Sequence, residues 1–270
     1  MGTDIATGIL IIIVSGLFLY FAWQKLEGRK KKRLEFALLS FQSHTNPHFI
    51  KNVLQAINWF ILNNEKNMAS DYLCDFSRLM DDILLFSKKK IVTLQEKLKF
   101  LDLYIRLQHL RDKEKFDYIG LNDPGNMEPT IKVDEHINPE VFFLPPLLIH
   151  PFVENAIEHG LKPKSTKGFL LVEFIYEKSK LICRIADNGI GIKASKERQR
   201  ASKISRSNIG IINTKKRIEI IRKLYGINII TTIKELYPNE KEPGTLVTLE
   251  FPMPIGFSPE SGMPKEVYRL

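Results

Sequence analysis

The sequence predicts a chain in three parts: an N-terminal transmembrane helix, an all-α helical hairpin acting as a dimerisation domain, and an α+β sandwich. Three observations predict it. Ile5–Trp23 runs 19 residues without a charge and is followed closely by the basic stretch Gly28–Arg33. Helical periodicity then extends from residue 34 to about 113, broken only by short polar turns. Beyond about residue 115, short apolar strands alternate with helices and glycine turns.

The apolar run would span about 28 Å as a helix, close to the hydrocarbon thickness of a bilayer. Tyr20 and Trp23 suit the interface, and the basic residues after the run place its C-terminal side in the cytoplasm. A cleaved signal peptide would carry basic residues before its apolar stretch, whereas here they follow it. Residues 1–33 are therefore expected to form a single-pass anchor in the inner (cytoplasmic) membrane with its basic juxtamembrane segment. No folded sensor is expected outside the membrane in this chain. Lys and Arg number 40 against 31 Asp and Glu, and much of that excess lies beside the membrane and in one loop, near residue 200. No base-reading motif occurs, so no direct nucleic-acid partner is expected. The two cysteines, Cys74 and Cys183, form no CxxC pair and predict neither a disulfide framework nor a zinc site.

Residues 34–115 form the helical part. Leu34, Ala37, Leu38 and Phe41 begin an apolar stripe that resumes at Phe49, Val53, Leu54, Ile57 and Phe60. A polar turn at 63–67 precedes a second helix, about 68–87, closed by Ser-Lys-Lys-Lys. Thr93-Leu-Gln-Glu96 is a capping box opening a third, about 94–113. A lone helical hairpin leaves apolar surface exposed, so two chains are expected to pair as a homodimer around a four-helix bundle. Residues 116–252 carry the sandwich. Strands are expected at "FDYIGL", "TIKVD", "GFLLVEFIYE", "KLICRIAD", "INIITTIKEL" and "GTLVTLEFP", a helix opening at Pro146, and a helix over 207–226. The tail, 253–270, holds three of the 14 prolines and is expected to be mobile.

Two motifs suggest a site. Asp187-Asn-Gly-Ile-Gly-Ile192 ends a predicted strand, where Gly189 and Gly191 permit close backbone approach. Alone, it is equally a tight hairpin turn. About thirty residues earlier, Asn155 sits in the helical "FVENAIEHG", where an amide oxygen is suited to ligating a phosphate-borne Mg²⁺. Lys193–Ser207 has six Lys or Arg against one Glu and reads as a flexible, phosphate-facing lid or as a solvated loop.

In this order the segments resemble the LytS-like sensor histidine kinases. Their phosphoacceptor motif is matched by His44-Thr-Asn-Pro-His-Phe-Ile-Lys-Asn52, their Asn box by "PPLLIHPFVENAIEHG", and their glycine boxes by "DNGIGI" and "SNIGIINTKKRI". Their last strand is matched by "GTLVTLEFP". The resemblance covers about residues 36–252 and implies an ATP-binding domain of the GHKL (Bergerat) type. It implies that His48 accepts the γ-phosphoryl group of ATP, that Asn155 holds Mg²⁺, and that Asp187 bonds the adenine amino group with Thr245 nearby. Gly189, Gly191 and Gly210 would let backbone approach the nucleotide, and His159 matches the Asn-box histidine. Asn52 and its polar neighbours are suited to orienting the His48 ring. The expected partner is a response regulator, with a LytTR-type DNA-binding domain.

Elementary chemistry agrees. An imidazole with an ordinary pKa of about 6.5 is mostly neutral, hence nucleophilic, at pH 7. Pro47 lacks an N–H and is expected to bend the helix beside His48. No Asp or Glu occurs from Phe36 to Asn64, which spares an incoming polyphosphate repulsion. The sequence departs from the family at His44, Thr45 and Lys51, and at His150, Pro151 and Asn208. Pro151 occupies the place where related ATPases carry a water-activating Glu. Glu158 stands where many relatives have Lys, and with Glu154 it is a candidate base. These departures keep open a degenerate ATP-binding scaffold without kinase activity, and a free-standing ATPase of the same fold.

Overall fold

The computed structural model describes residues 14–29, 47–89, 91–121, 129–201, 215–216, 218–222 and 228–253. Residues 14–29 form one helix, α1. Val14, Leu17, Phe18, Leu19, Tyr20, Phe21, Trp23 and Leu26 are all exposed along it. Among the described residues no helix is long and apolar enough to cross a membrane. The expected span begins at Ile5, and its residues 5–13 lie outside the described residues.

Helices α2 (Pro47–Leu62) and α3 (Lys66–Lys88) form the hairpin. The expected bend at Pro47 depends on residues 43–46, which lie outside the described residues. The turn uses Asn64 at φ 60, a left-handed conformation that Asn tolerates. Asn63 Nδ2 donates to the Trp59 carbonyl at 2.8 Å and so closes the end of α2. Phe49, Val53, Ala56 and Phe60 of α2 face Tyr72, Leu79, Ile83 and Phe86 of α3 in one buried core.

The third helix, α4 (Leu94–Arg111), opens on the expected capping box. Glu96 N donates to Thr93 Oγ1 at 3.1 Å, and Thr93 N donates to Glu96 Oε2 at 2.9 Å. Unlike α3, α4 is buried nearly all round, at Leu94, Leu98, Phe100, Leu101, Tyr104, Ile105 and Leu107. That pattern marks a helix with neighbours on two sides. One side meets α3, where Tyr72 Oη donates to the Leu107 carbonyl and Arg106 bonds Asp75 at 2.6 Å. The other meets the sandwich. There β1 (Val92–Thr93) pairs with β3 (Phe143–Leu144), and Tyr118 Oη bonds Asp102 at 2.8 Å.

The sheet comprises β2 (Ile131–Val133), β4 (Leu170–Glu177), β5 (Lys180–Asp187), β6 (Ile230–Glu235) and β7 (Thr245–Pro252). Its order is β2-β4-β5-β7-β6, with β2 parallel to β4 and the other pairs antiparallel. Alternate residues Leu170, Val172 and Phe174, with Leu181, Cys183, Ile185, Leu249 and Phe251, supply its buried face. Helices on an antiparallel-rich sheet are the α+β arrangement the sequence predicts.

Three elements differ from expectation. The Asn helix begins at His150 rather than Pro146. Leu147 takes φ 55, and Pro146 disfavours helical geometry at Pro145, so the chain cannot wind before that point. "FDYIGL" contributes one bridge, Phe116 to Gly168, instead of a strand. The basic segment expected to be a flexible loop starts as a helix, α6 (Gly191–Ala201), because Lys, Arg, Glu, Gln and Ala favour helix. Of the helix expected over 207–226, residues 215–216 and 218–222 are described, and they are helical. The tail beyond Met253 lies outside the described residues.

Candidate functional site

The Asn helix is made of two pieces. The α-helical turns of α5 (His150–Asn155) run directly into a π-helix, Ala156–Leu161, closed by Lys162 N donating to the Ile157 carbonyl at 2.9 Å. π-turns insert an extra residue per turn and occur frequently at functional sites. Phe152, Val153, Ala156, Ile157 and Leu161 are buried, while Glu154, Asn155, Glu158 and His159 form a half-buried polar face. Asn155 Nδ2 donates to the Pro151 carbonyl at 2.5 Å. That bond commits the donor end of the amide to its own helix and leaves the oxygen as the end able to ligate a cation.

Asp187 ends β5 and is 3% exposed. Its Oδ1 accepts from Gly189 N at 2.9 Å. Burial pushes its carboxyl up to about 7, against the pull of the Gly189 N–H, of side-chain and backbone bonds from Thr245, and of the nearby Lys164 ammonium. A carboxyl of this kind keeps its proton until the pH approaches 7, and a buried, shifted carboxyl is characteristic of functional sites.

Glycines bring the two motifs together. Ile190 N donates to the Gly160 carbonyl at 3.1 Å, which ties the glycine turn to the π-helix. A Cβ at Gly160 would lie 2.6 Å from Asp187 Oδ1, and one at Gly189 would overlap the Gly160 backbone. Gly244, at φ 61, brings β7 against the same turn, its N–H on the Gly189 carbonyl at 3.0 Å. The two motifs, some thirty residues apart in sequence, thus meet backbone to backbone at Gly160 and Gly189.

Thr245 lies beside Asp187, paired with it across β5 and β7. Gly191 begins α6 at φ 81, and a Cβ there would overlap Pro243. His159 lies half-buried on the same face as Asn155. His48 is the second residue of α2, and Asn52 is buried in that helix. Gly210 and Asn208 lie outside the described residues, as do His44 to Asn46.

Two features were not read from the sequence. Lys164 is 7% exposed, and its Nζ donates to the Asn188 carbonyl at 2.7 Å and pairs with Glu242 at 3.3 Å. Asn188, Lys164 and Glu242 border a cavity of about 440 Å³ beside the glycine turn, which Asp187 and Asn155 do not line. Glu158 belongs to a charged cluster, bonded by Arg111 Nη2 at 2.7 Å and by Lys162 at 3.1 Å, with Asp112 also on Arg111 at 2.7 Å. Burial, the largest single influence, raises the Glu158 carboxyl, but Lys162 and Arg111 together hold it below its usual range. An ionised carboxylate so paired is a poor proton acceptor, which weakens its candidacy as a base. Only the basic last turn of α4 signalled Arg111.

Residues 36–116 match the family model described as histidine kinase. The chain is similar to the sensor histidine kinase YesM of Bacillus subtilis strain 168, with 25% identity over 81% of this chain and 33% of the relative. It is 27% identical to the sensor protein LytS of Oceanobacillus iheyensis, over 62% of this chain and 27% of that one. Among solved structures it is similar to the catalytic domain of the histidine kinase ThkA, with TM-score 0.38 and 15% identity over 60% of this chain and 93% of that one. The matches to the family model and to the curated relatives bear out the resemblance to LytS-like sensor histidine kinases read from the motifs. The chain spans about a third of the length of the first curated relatives it matches.

Proposed function

We propose that this chain is a membrane-anchored, ATP-dependent protein histidine kinase that phosphorylates His48 and passes the phosphoryl group to a response regulator. The observation that carries the reading is the closure of the Asn helix onto the Asp187–Gly191 turn through Gly160 and Gly189, in a chain whose residues 36–116 match the histidine kinase family.

Phosphoryl transfer needs positioning and charge neutralisation more than covalent help from the protein. Asp187, with Thr245 beside it, would receive the adenine amino group. The glycine turn would let backbone N–H groups approach the nucleotide. Asn155 would hold Mg²⁺, which neutralises phosphate charge when bound. Lys193, Lys196 and Arg198 on α6 are exposed soon after the turn and would meet polyphosphate. The acceptor is a ring nitrogen of His48, with Asn52 in the same helix.

Two further parts of the reading have their own support. The apolar side chains exposed along α1 favour a membrane anchor, and the basic residues Arg29–Arg33 that follow favour a cytoplasmic place for the remainder of the chain. Leu54, Ile61, Leu73 and Leu84 are exposed on α2 and α3, opposite the core of the hairpin, and suit a homodimeric four-helix bundle. The LytTR-type regulator rests on the resemblance alone.

Incubation with γ-labelled ATP and Mg²⁺ tests the reading. Acid-labile, alkali-stable label that disappears in His48→Ala is the expected result. Nucleotide binding without label would favour a scaffold, and steady phosphate release unaffected by His48→Ala would favour a free-standing ATPase.

A further inference from the structure

We infer that the phosphoryl group reaches His48 from the nucleotide site of the same chain, in cis; this rests on the kinase function proposed above. At Phe49, α2 packs against α4 and the Asn helix of its own polypeptide. Phe49, the residue after His48, is 7% exposed and lies with its ring 5.7 Å from Tyr104 of α4. Phe49 also shares a narrow cavity with Leu79, Ile83, Tyr104, His150 and Glu154. His150 opens the Asn helix, and Glu154 directly precedes Asn155. The neighbours of the acceptor and of the proposed Mg²⁺ ligand therefore line one cavity within one chain.

This seat is a packed interface. The rings of Tyr104 and His150 meet edge to face with centroids 4.2 Å apart, and both residues are buried. The hairpin is fastened to α4 by Arg106 on Asp75 at 2.6 Å and by Tyr72 on the Leu107 carbonyl. The apolar surface left to a second copy lies elsewhere, at Leu54, Ile61 and Leu62 of α2 and at Leu73, Leu84 and Leu85 of α3. A partner's nucleotide domain would have to displace this chain's own α4 and α5 to take the same place beside Phe49. The chain's own domain already lies beside the residue that follows His48.

In the step itself, a ring nitrogen of His48 attacks the γ-phosphorus of ATP. The N–P bond forms as the bond from phosphorus to the β–γ bridging oxygen breaks. ADP departs with that electron pair, and the ring proton passes to solvent.

Mixed dimers test the inference, using the full chain in detergent, two affinity tags and sequential purification. One pair combines the wild-type chain with a His48→Ala/Asn155→Ala double variant. The other combines His48→Ala with Asn155→Ala. Transfer in cis labels the wild-type chain of the first pair at the per-chain rate of the wild-type homodimer, half the label per dimer, and leaves the second pair at background. Label on the Asn155→Ala chain of the second pair, or loss of label from the first, overturns it. An unlabelled wild-type homodimer would instead defeat the kinase reading itself.

Discussion

Thr245 stands directly across the β5–β7 ladder from Asp187 and bonds its carboxyl through both its side chain and its backbone. Burial nevertheless wins, and the carboxyl sits at about 7 instead of its ordinary 3.8. The adenine amino group is a donor and favours the ionised carboxylate. ATP affinity is therefore expected to strengthen as pH rises towards 7, by up to about tenfold per pH unit below that point, and then to level off. Calorimetric titration from pH 5.5 to 8 should show this slope in the wild type and a flat profile in Asp187→Asn. A flat wild-type profile would separate Asp187 from the ligand.

The same carboxyl makes a prediction about stability without nucleotide. Below about pH 4 it is protonated in both folded and unfolded chains. Between about pH 4 and 7 the folded chain keeps a proton that the unfolded chain has lost, so stability falls as pH rises, and above about 7 the loss is complete. Asp187→Asn is neutral throughout. Its melting temperature should gain on the wild type across that window and hold its lead above it, as read by thermal denaturation of the two proteins side by side.

Gly189→Ala should be severe for a reason separate from backbone torsion. A Cβ there overlaps the Gly160 backbone, and the Ile190 to Gly160 hydrogen bond leaves little room to move apart. Overpacking against backbone should destabilise by about 2–3 kcal/mol. The glycine turn and the Asn helix would also separate, so ATP binding should fall even under conditions where the fold survives. Denaturant unfolding and nucleotide titration of the same variant read the two effects.

The sequence made some of this legible and hid the rest. Capping of α4 by Thr93 and Glu96 was readable because both partners lie within one turn. The strand at 170–177 showed in its alternation, since one face meets the core. Gly160 went unremarked because a glycine in a helix has no local signature; its role appears only when Asp187 arrives from another element. The burial of α4 on two sides was equally hidden, because periodicity reports how wide an apolar face is and not which elements cover it. Lys193–Ser207 read as a loop on charge alone, although its residues are good helix formers up to Ala201.

The exposed apolar side chains of α1 predict behaviour in cells. On the proposed anchor, the full chain should sediment with membranes and stay there through high-salt and alkaline washes, which remove proteins held by charge alone. Deleting residues 1–27 should release it while leaving Arg29–Arg33 in place. Release of the full chain by salt would assign its membrane affinity to those basic residues and remove the anchor.

Arg111 and Glu158 carry the least expected prediction. The resemblance leads to a lysine at 158, yet the structure places a glutamate between the Arg111 guanidinium and the Lys162 ammonium, with Asp112 completing a balanced cluster. The side chains of Arg111 and Glu158 are only 10% and 15% exposed, so removing one partner strands a charge that water cannot fully solvate. Glu158→Ala should destabilise by about 1–3 kcal/mol, at or below the usual cost of breaking a buried pair because Asp112 still shares Arg111. Since Glu158 titrates below its usual range, this contribution is present above about pH 4.5 and should fade as pH falls through its lowered value. Glu158→Lys should be worse than Glu158→Ala, because it sets three cations around Asp112. Adding Arg111→Ala to Glu158→Lys should then recover part of the loss, whereas adding it to the wild type should only destabilise. That reversal of sign in a double-mutant cycle, followed by urea unfolding, is the signature of charge balance. Additive losses would show that the cluster contributes by packing alone.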